Sequence, residues 1–321
     1  MQNYLKSAKL DNVCYEIRGV VLREARRLEE EGHRVLKLNI GNPAAFELDV
    51  PEEIQQDVIH NMPLAQGYVE SKGLFSARKA VMHYCQQRGI DKVDIDDIYL
   101  GNGVSELIVM SMQALLNDGD EVLIPSPDYP LWTAAVKLAG GNPVHYRCDE
   151  SAGWFPDIDD IKQKINGKTK AIVLINPNNP TGTILSEENV KAVADYCRKN
   201  DIIILSDEIY SLLTHEGFDH RTPAQYYPEG TIVLGGLSKI LSLGGWRMGV
   251  AIVPEGEIGN QIIDGFRHIA GSIWSCVSAP IQYASITAYE DASEIENYIH
   301  TCGAMHQIRT RYLYEEMASL G

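Results

Sequence analysis

The sequence predicts an α/β fold: a mainly parallel, mixed sheet covered by helices, with an N-terminal arm and an incomplete second, smaller domain. Two observations predict it. From residue 96 onward, short apolar runs rich in Ile, Val and Leu alternate with longer stretches of helical periodicity, the pattern of strand–helix–strand units whose strands are buried on both faces. Polar and glycine-rich segments follow directly after those apolar runs, at the edge where open parallel sheets bind their ligands.

Taken in order, residues 13–31 read as an amphipathic helix rich in Glu and Arg, ended by Gly32. Residues 34–40 alternate as a strand would, towards the turn Gly41-Asn42-Pro43. Gly67-Tyr68 and Ser71-Lys72-Gly73 lead into a helix around residues 74–88. Strand-like runs then fall at 98–100, 121–124, 144–146, 171–175, 202–205, 231–234 and 250–253. Between and after them, 105–116, 132–139, 187–199 and the long stretch 291–317 read as helices. No internal repeat or low-complexity tract interrupts the pattern. The expected division is an arm and small-domain segment over 1–45, a large domain over 46–290, and the start of a C-terminal small domain over 291–321.

Composition narrows the function. A chain of 321 residues with 45% hydrophobic and 22% charged residues is ordinary for a soluble globular protein. Its formal charge of −16 argues against a nucleic-acid or anionic-membrane surface, since both require a basic footprint. A local basic pocket for one phosphate remains compatible with it. The six cysteines are scattered, without the spacing of a metal site or redox motif, which points to reduced thiols, no metal and a cytoplasmic setting. No apolar run of signal-peptide or membrane-spanning length is present.

Five polar features land on the same predicted edge: Asn179, Asp207 and Lys239, each at the end of or just past an apolar run, Gly103-Val104-Ser105 after a fourth, and Tyr129 after a fifth. Lys239 lies in the apolar, glycine-rich segment 235–249, one residue after Ser238 and eight before Arg247. A buried amine loses its proton more easily, and a neutral amine can form a Schiff base; a loop lysine at the surface is the competing reading. Asp207 reads as a buried carboxylate or a helix N-cap, and Asn179 as a ligand or an Asn-Pro turn. Gly101-Asn102-Gly103 imitates half of a dinucleotide fingerprint, but its sixth position is Glu106 rather than Gly.

Four ordered segments carry a resemblance: Pro125-Ser126-Pro127-Asp128-Tyr129-Pro130, Asn176-Pro177-Asn178-Asn179-Pro180-Thr181-Gly182, Asp207-Glu208-Ile209-Tyr210, and Ser238-Lys239 with Arg247-Met248-Gly249. Together they resemble the class I/II aminotransferases of fold type I, which use pyridoxal phosphate (PLP). Segments 12–32, 101–108 and 127–136 look most like the bacterial glutamate–pyruvate (alanine) aminotransferases.

The resemblance implies a division of labour. Lys239 would attach PLP and later shuttle a proton. Asp207 would keep the pyridine nitrogen protonated, while Tyr210 and Asn179 would hydrogen-bond the ring's phenolic oxygen. Tyr129 would stack on the ring, and the phosphate would sit on Gly103, Val104 and Ser105 with Ser238 and Arg247. Tyr15, Arg18, Gly41 and Asn179 would contact the substrate, an L-amino acid or a 2-oxo acid. A tyrosine at the place of Tyr68 reaches the neighbouring subunit's cofactor, so a homodimer is implied. The implied reaction is L-alanine plus 2-oxoglutarate to pyruvate plus L-glutamate. A PLP-dependent lyase or decarboxylase is the alternative enzyme. The chain departs from the family pattern in two places. Family members continue beyond the equivalent of Gly321 and carry there an arginine that grips the substrate carboxylate; Arg267, Arg309 and Arg311 do not sit in its motif. A PLP-binding or dimerising remnant is therefore a third reading. Ile240-Leu241 also replaces a more polar pair.

Overall fold

The computed structural model describes residues 6–7, 10, 13, 19–37, 41–46, 48–90, 92–253, 256–290 and 293–320. Among them, β1 (Ile98–Asn102), β2 (Glu121–Ser126), β3 (Asn142–Asp149), β4 (Phe155–Pro156), β5 (Thr169–Ile175), β6 (Ile203–Asp207), β7 (Thr231–Gly236) and β8 (Met248–Ile252) form one eight-stranded sheet. Its order is β1-β8-β7-β6-β5-β2-β3-β4. The predicted apolar runs all lie within or across these strands.

The pairs β2–β3, β2–β5, β5–β6 and β6–β7 are parallel. Strand β8 is antiparallel to both β1 and β7. The reason lies in the connections: parallel neighbours need a crossover, whereas residues 237–247 return the chain from β7 to β8 without a helix. Because β8 runs backwards, its amino end lies beside the carboxyl ends of the other strands, and Arg247 is carried to that edge. From β2 the chain first adds β3 on one side, then β5 on the other. That reversal opens a crevice at the carboxyl ends, the usual ligand position in such sheets.

Alternating strand residues feed two faces. On one face, Val122, Ile124, Val173, Ile175, Leu205 and Leu234 pack with α4 (Val104–Leu115), α5 (Leu131–Leu138) and α8 (Glu257–Ile273). On the other, Leu100, Val233 and Val250 meet α3 (Phe75–Gln87) and α9 (Ala279–Tyr289), while Ile172, Leu174 and Ile204 meet α6 (Ile158–Lys164) and α7 (Glu187–Lys199). The helix α2 (Glu52–Asn61) packs on α9. Helix starts follow the local chemistry. Asp157 accepts from the Asp159 and Asp160 N–H groups to begin α6, and Ser186 accepts from Asn189 to begin α7. The helix α7 also carries Glu187 and Glu188 at its start and Arg198 and Lys199 at its end, in the sense its dipole favours.

At the N-terminal end, the described helix α1 spans Gly19–Glu30, with Val13 outside it and Gly32 at φ +90° behind it. The alternation at 34–40 does not make a strand in its described part. Residues 33–37 have no ladder partner and, Val35 apart, are exposed, so the pattern finds no sheet to bury its apolar side; residues 38–40 lie outside the described residues. The helix α10 (Ser293–Ser319) matches the expected long C-terminal stretch. No helix among the described residues is long and apolar enough to cross a membrane.

One glycine sets how closely α4 approaches the sheet. A Cβ on Gly249 of β8 would stand 2.5 Å from the Gly103 carbonyl carbon and 2.7 Å from the Val104 nitrogen. Backbone rather than a flexible side chain occupies that space. Gly249→Ala is expected to push the start of α4 off the sheet and to cost about 1–3 kcal/mol of unfolding free energy, the usual range for overpacking. A urea melt would check this; an unchanged midpoint would mean that α4 can shift freely.

Candidate active site

The crevice is built from strand ends. Asp207 is the last residue of β6, only 4% exposed, on the face shared with α5. Its carboxylate accepts from the Trp132 indole Nε1–H at 3.2 Å and from the Ile209 backbone N–H at 3.4 Å. No cation pairs with it among the described residues. Burial is the main reason its pKa rises to about 6, opposed by the Trp132 and Ile209 donors and assisted by the charge of neighbouring Glu208. Tyr210 is half-buried one turn on, and both burial and the Asp207 charge hold its hydroxyl above the usual tyrosine range.

Lys239 lies just past β7, in the 237–247 loop. Leu237, Ile240, Leu241 and Leu243 of that loop are buried in the core beneath, so the backbone is anchored on both sides of the lysine. The apolar pair Ile240-Leu241 thus serves as anchorage. Lys239 Nζ donates to the Gly41 carbonyl at 2.8 Å, which brings the Gly41-Asn42-Pro43 turn to the crevice. Burial first, and the Arg247 guanidinium second, lower the amine's pKa.

Helix α4 begins at Gly103, which has φ +83° and no side-chain cap. Val104 and Ser105 therefore present the first N–H groups of the helix to the crevice. Arg247 lies across this start, its Nη2 donating to the Asn102 carbonyl at 3.3 Å and its Nη1 to Gly244 at 3.1 Å. A Cβ on Gly103 would meet Arg247 Nη2 at 2.5 Å, so glycine is what allows the guanidinium to lie over the helix end. Glu106 accepts from the Asn102 backbone at 2.6 Å and from its side-chain amide at 3.1 Å. It closes the strand–helix turn, and this explains a glutamate where the dinucleotide pattern has glycine.

The Asn-rich loop after β5 sorts its three amides. Asn176 donates to the Arg221 carbonyl and accepts from Leu185; Asn178 accepts from the Thr181 N–H and hydroxyl. Both are spent on closing the loop. The Asn179 amide makes no hydrogen bond among the described residues and is half-exposed. Tyr129, after β2, is half-buried against the core face of α4 and α5. Ser238 is half-buried beside Lys239.

The predicted residues Gly41, Gly103, Val104, Ser105, Tyr129, Asn179, Asp207, Tyr210, Ser238, Lys239 and Arg247 thus share one edge of the sheet. Tyr68 is 90% exposed on the loop before α3. Tyr15 and Arg18 lie outside the described residues. Sequence reading missed Trp132. Its signal was present: a tryptophan in an apolar helix needs an acceptor when buried, and this one is fully buried against Asp207.

The model of the aminotransferase class I and II family matches residues 33–321. The glutamate-pyruvate aminotransferase AlaA of Escherichia coli K12 is 51% identical over 309 residues, 95% of this chain and 76% of that protein. The alanine aminotransferase of Mycobacterium bovis is 47% identical, over 95% of this chain and 72% of its own. The solved alanine aminotransferase of Pyrococcus furiosus superposes with a TM-score of 0.91 at 35% identity, covering 98% of this chain and 79% of that one. The chain therefore spans about three quarters of the length of these relatives. With a family match over most of its length, and identity near one half to two aminotransferases, this chain belongs to the aminotransferase class I and II family.

Proposed function

We propose that the chain uses PLP to transfer an amino group between an L-amino acid and a 2-oxo acid, with L-alanine and 2-oxoglutarate as the preferred pair. The observation that carries this reading is Asp207: a carboxylate buried at a strand end, facing N–H donors and, among the described residues, no cation. A buried charge of this kind is costly unless something cationic completes it. A protonated pyridine nitrogen would do so.

The donor set elsewhere fits the same group. The uncapped start of α4, with Arg247 lying across it, suits a phosphate through unpaired N–H groups, the helix dipole and charge-assisted contacts. The Tyr210 hydroxyl and the Asn179 amide suit a phenolic oxygen, and Tyr129 offers an aromatic face. When bound, PLP would supply the electron sink that makes the substrate's α-proton removable. The chain's residues would do the rest. Asp207 holds the ring nitrogen protonated. Lys239, its pKa lowered by burial and by Arg247, would anchor the cofactor and then move the proton. Gly41 borders the space above Lys239, where the substrate carboxylate would lie.

The substrate pair rests on the names of the AlaA and alanine aminotransferase relatives. A homodimer is proposed as well, with the exposed Tyr68 reaching the second copy's phosphate; the cytoplasm is the proposed location. Lys239→Ala is expected to abolish PLP's visible absorbance with the protein and to cut amino transfer by at least about 10²–10⁴-fold, the contribution of a positioned acid–base group, while far-ultraviolet circular dichroism stays as in the parent. Retained turnover of alanine would end this reading. Release of carbon dioxide or ammonia in place of stoichiometric keto acid would favour a decarboxylase or lyase.

The elevated pKa of Asp207 also has a sign that can be tested without cofactor. The folded chain holds this proton up to about pH 6, whereas the unfolded chain releases it near its ordinary value of 3.8. Between those values the folded state binds more protons, so the group's contribution to stability falls as pH rises, by roughly 3 kcal/mol in all. Asp207→Asn removes that loss. In the cofactor-free chain it is expected to match the parent near pH 4 and to be more stable than the parent at pH 7–8, measured by denaturant melts across pH. A gap that is constant with pH would contradict the unpaired burial of Asp207.

A further inference from the structure

Behind Asp207, on the opposite face of β6, lies a second buried acid that no role described above employs. Glu208 is 7% exposed and its backbone N–H donates to the Leu234 carbonyl at 2.8 Å. The Ser206 hydroxyl donates to Glu208 Oε1 at 2.8 Å. Its other oxygen stands 3.7 Å from His220 Nε2, and His220 Nδ1 is 3.1 Å from Arg88 Nη2. Arg88 also donates to the Tyr84 hydroxyl at 2.7 Å, and its carbonyl accepts from Gln225.

The order of donors fixes the histidine. A guanidinium has only donors, so Nδ1 must accept and the proton of the neutral ring sits on Nε2. That N–H is buried, without a hydrogen-bond partner among the described residues, and the Glu208 carboxylate is within ion-pair distance of it. Burial, the largest influence, lowers the ring's pKa; the Glu208 charge and the Asn176 carbonyl oppose this, while Arg88 and Arg221 add to it. The series Ser206–Glu208–His220–Arg88–Tyr84 therefore joins the end of β6 to the end of α3. Glu208, Arg88, Tyr84, Cys85 and Tyr289 also line one cavity of about 40 Å³.

We propose that Glu208, held by Ser206 and balanced through His220 by Arg88, is a positioning residue that sets from behind the sheet how strongly Asp207 grips a ring N–H. This rests on the reading of Asp207 as the partner of the pyridine nitrogen. Two consecutive residues at one strand end put a working carboxylate on one face and a charge-bearing carboxylate on the other, a single peptide apart. Negative potential from Glu208 makes Asp207 a better proton acceptor, and Arg88 limits the effect. A peptide shared by both acids also means that the Glu208 anchors fix the direction in which Asp207 points.

The test compares the parent, Glu208→Gln and Arg88→Gln, each with and without Asp207→Asn, in denaturant melts of the full chain across pH 3–9. The quantity read is the pH at which the stability gap between each protein that keeps Asp207 and the same protein carrying Asp207→Asn stops growing. It is expected to fall by roughly 0.5–1 pH unit in Glu208→Gln and to rise in Arg88→Gln. A purely structural role would lower stability equally in each pair and leave that pH in place, and such a result overturns the proposal. Shifts of the same sign in both variants overturn it too. PLP titration then separates the two readings. The parent should bind PLP, and Glu208→Gln about three- to tenfold more weakly, the equivalent of the same shift. Failure of the parent to bind PLP would remove the reading on which the proposal rests, even with the pH shifts intact. Parent binding with unchanged affinity in Glu208→Gln would sink the proposal alone.

Discussion

The constraint on which the site depends is a buried carboxylate that no cation among the described residues neutralises. Asp207 ends a central strand, under Trp132 and against the helices of one face. A folding sequence selected only for stability would place an apolar residue or a capping asparagine there, because an uncompensated buried carboxylate opposes folding. The surrounding core makes that cost tolerable. Val173, Ile175, Leu205 and Leu234 are all nearly inaccessible to solvent, and they hold the strand ends in register whether or not the acid is charged. Such local conflict within an otherwise consistent fold is the mark of a functional position.

Direction of chain matters as much as charge. A wholly parallel arrangement would have required a crossover after β7, and would have sent the segment after Lys239 away from the crevice. The direct return through residues 237–247 instead keeps Lys239 and Arg247 on one edge. The same return brings Gly249 of β8 under the first turn of α4. Three independent elements, β7, β8 and α4, are thereby locked together by close backbone contact where a phosphate-sized anion would sit. Rigid elements of this kind hold a site more accurately than loops do.

Much of this was legible in the residues. Apolar runs gave strand positions because buried strands leave long β-branched stretches, and 187–199 reads as the helix it is because its caps and charges agree with its periodicity. The ordered motifs placed Asp207, Lys239 and the α4 start on one edge for the same reason: polar residues follow strands where ligands bind. What escaped had a different character. The alternation at 34–40 has the right local pattern, but a strand is made by its neighbour, and residues 33–37 have none. The antiparallel sense of β8 follows from a missing helix between two runs, a weaker signal than a present one. Trp132 meets Asp207 across 75 residues of chain, and on the other face Arg88 meets His220 across 132; no spacing rule reaches that far.

The loop around Lys239 shows how an apparent oddity in sequence becomes a physical requirement. A lysine proposed to hold a cofactor and then release it to move a proton needs a mobile side chain on an immobile backbone. Leu237, Ile240, Leu241 and Leu243 supply the second condition, each buried in the core facing α3 and α9. The four methylenes of the lysine supply the first. Apolar residues at 240 and 241 therefore tie the loop down from the face opposite the crevice, and polar residues there would have to find partners inside that core. On the same opposite face sit Glu208, Tyr84 and Cys85 around their small cavity. The two faces of the sheet thus divide at this edge: one carries the crevice with Asp207 and Lys239, and the other holds the backbone and places Glu208 behind it.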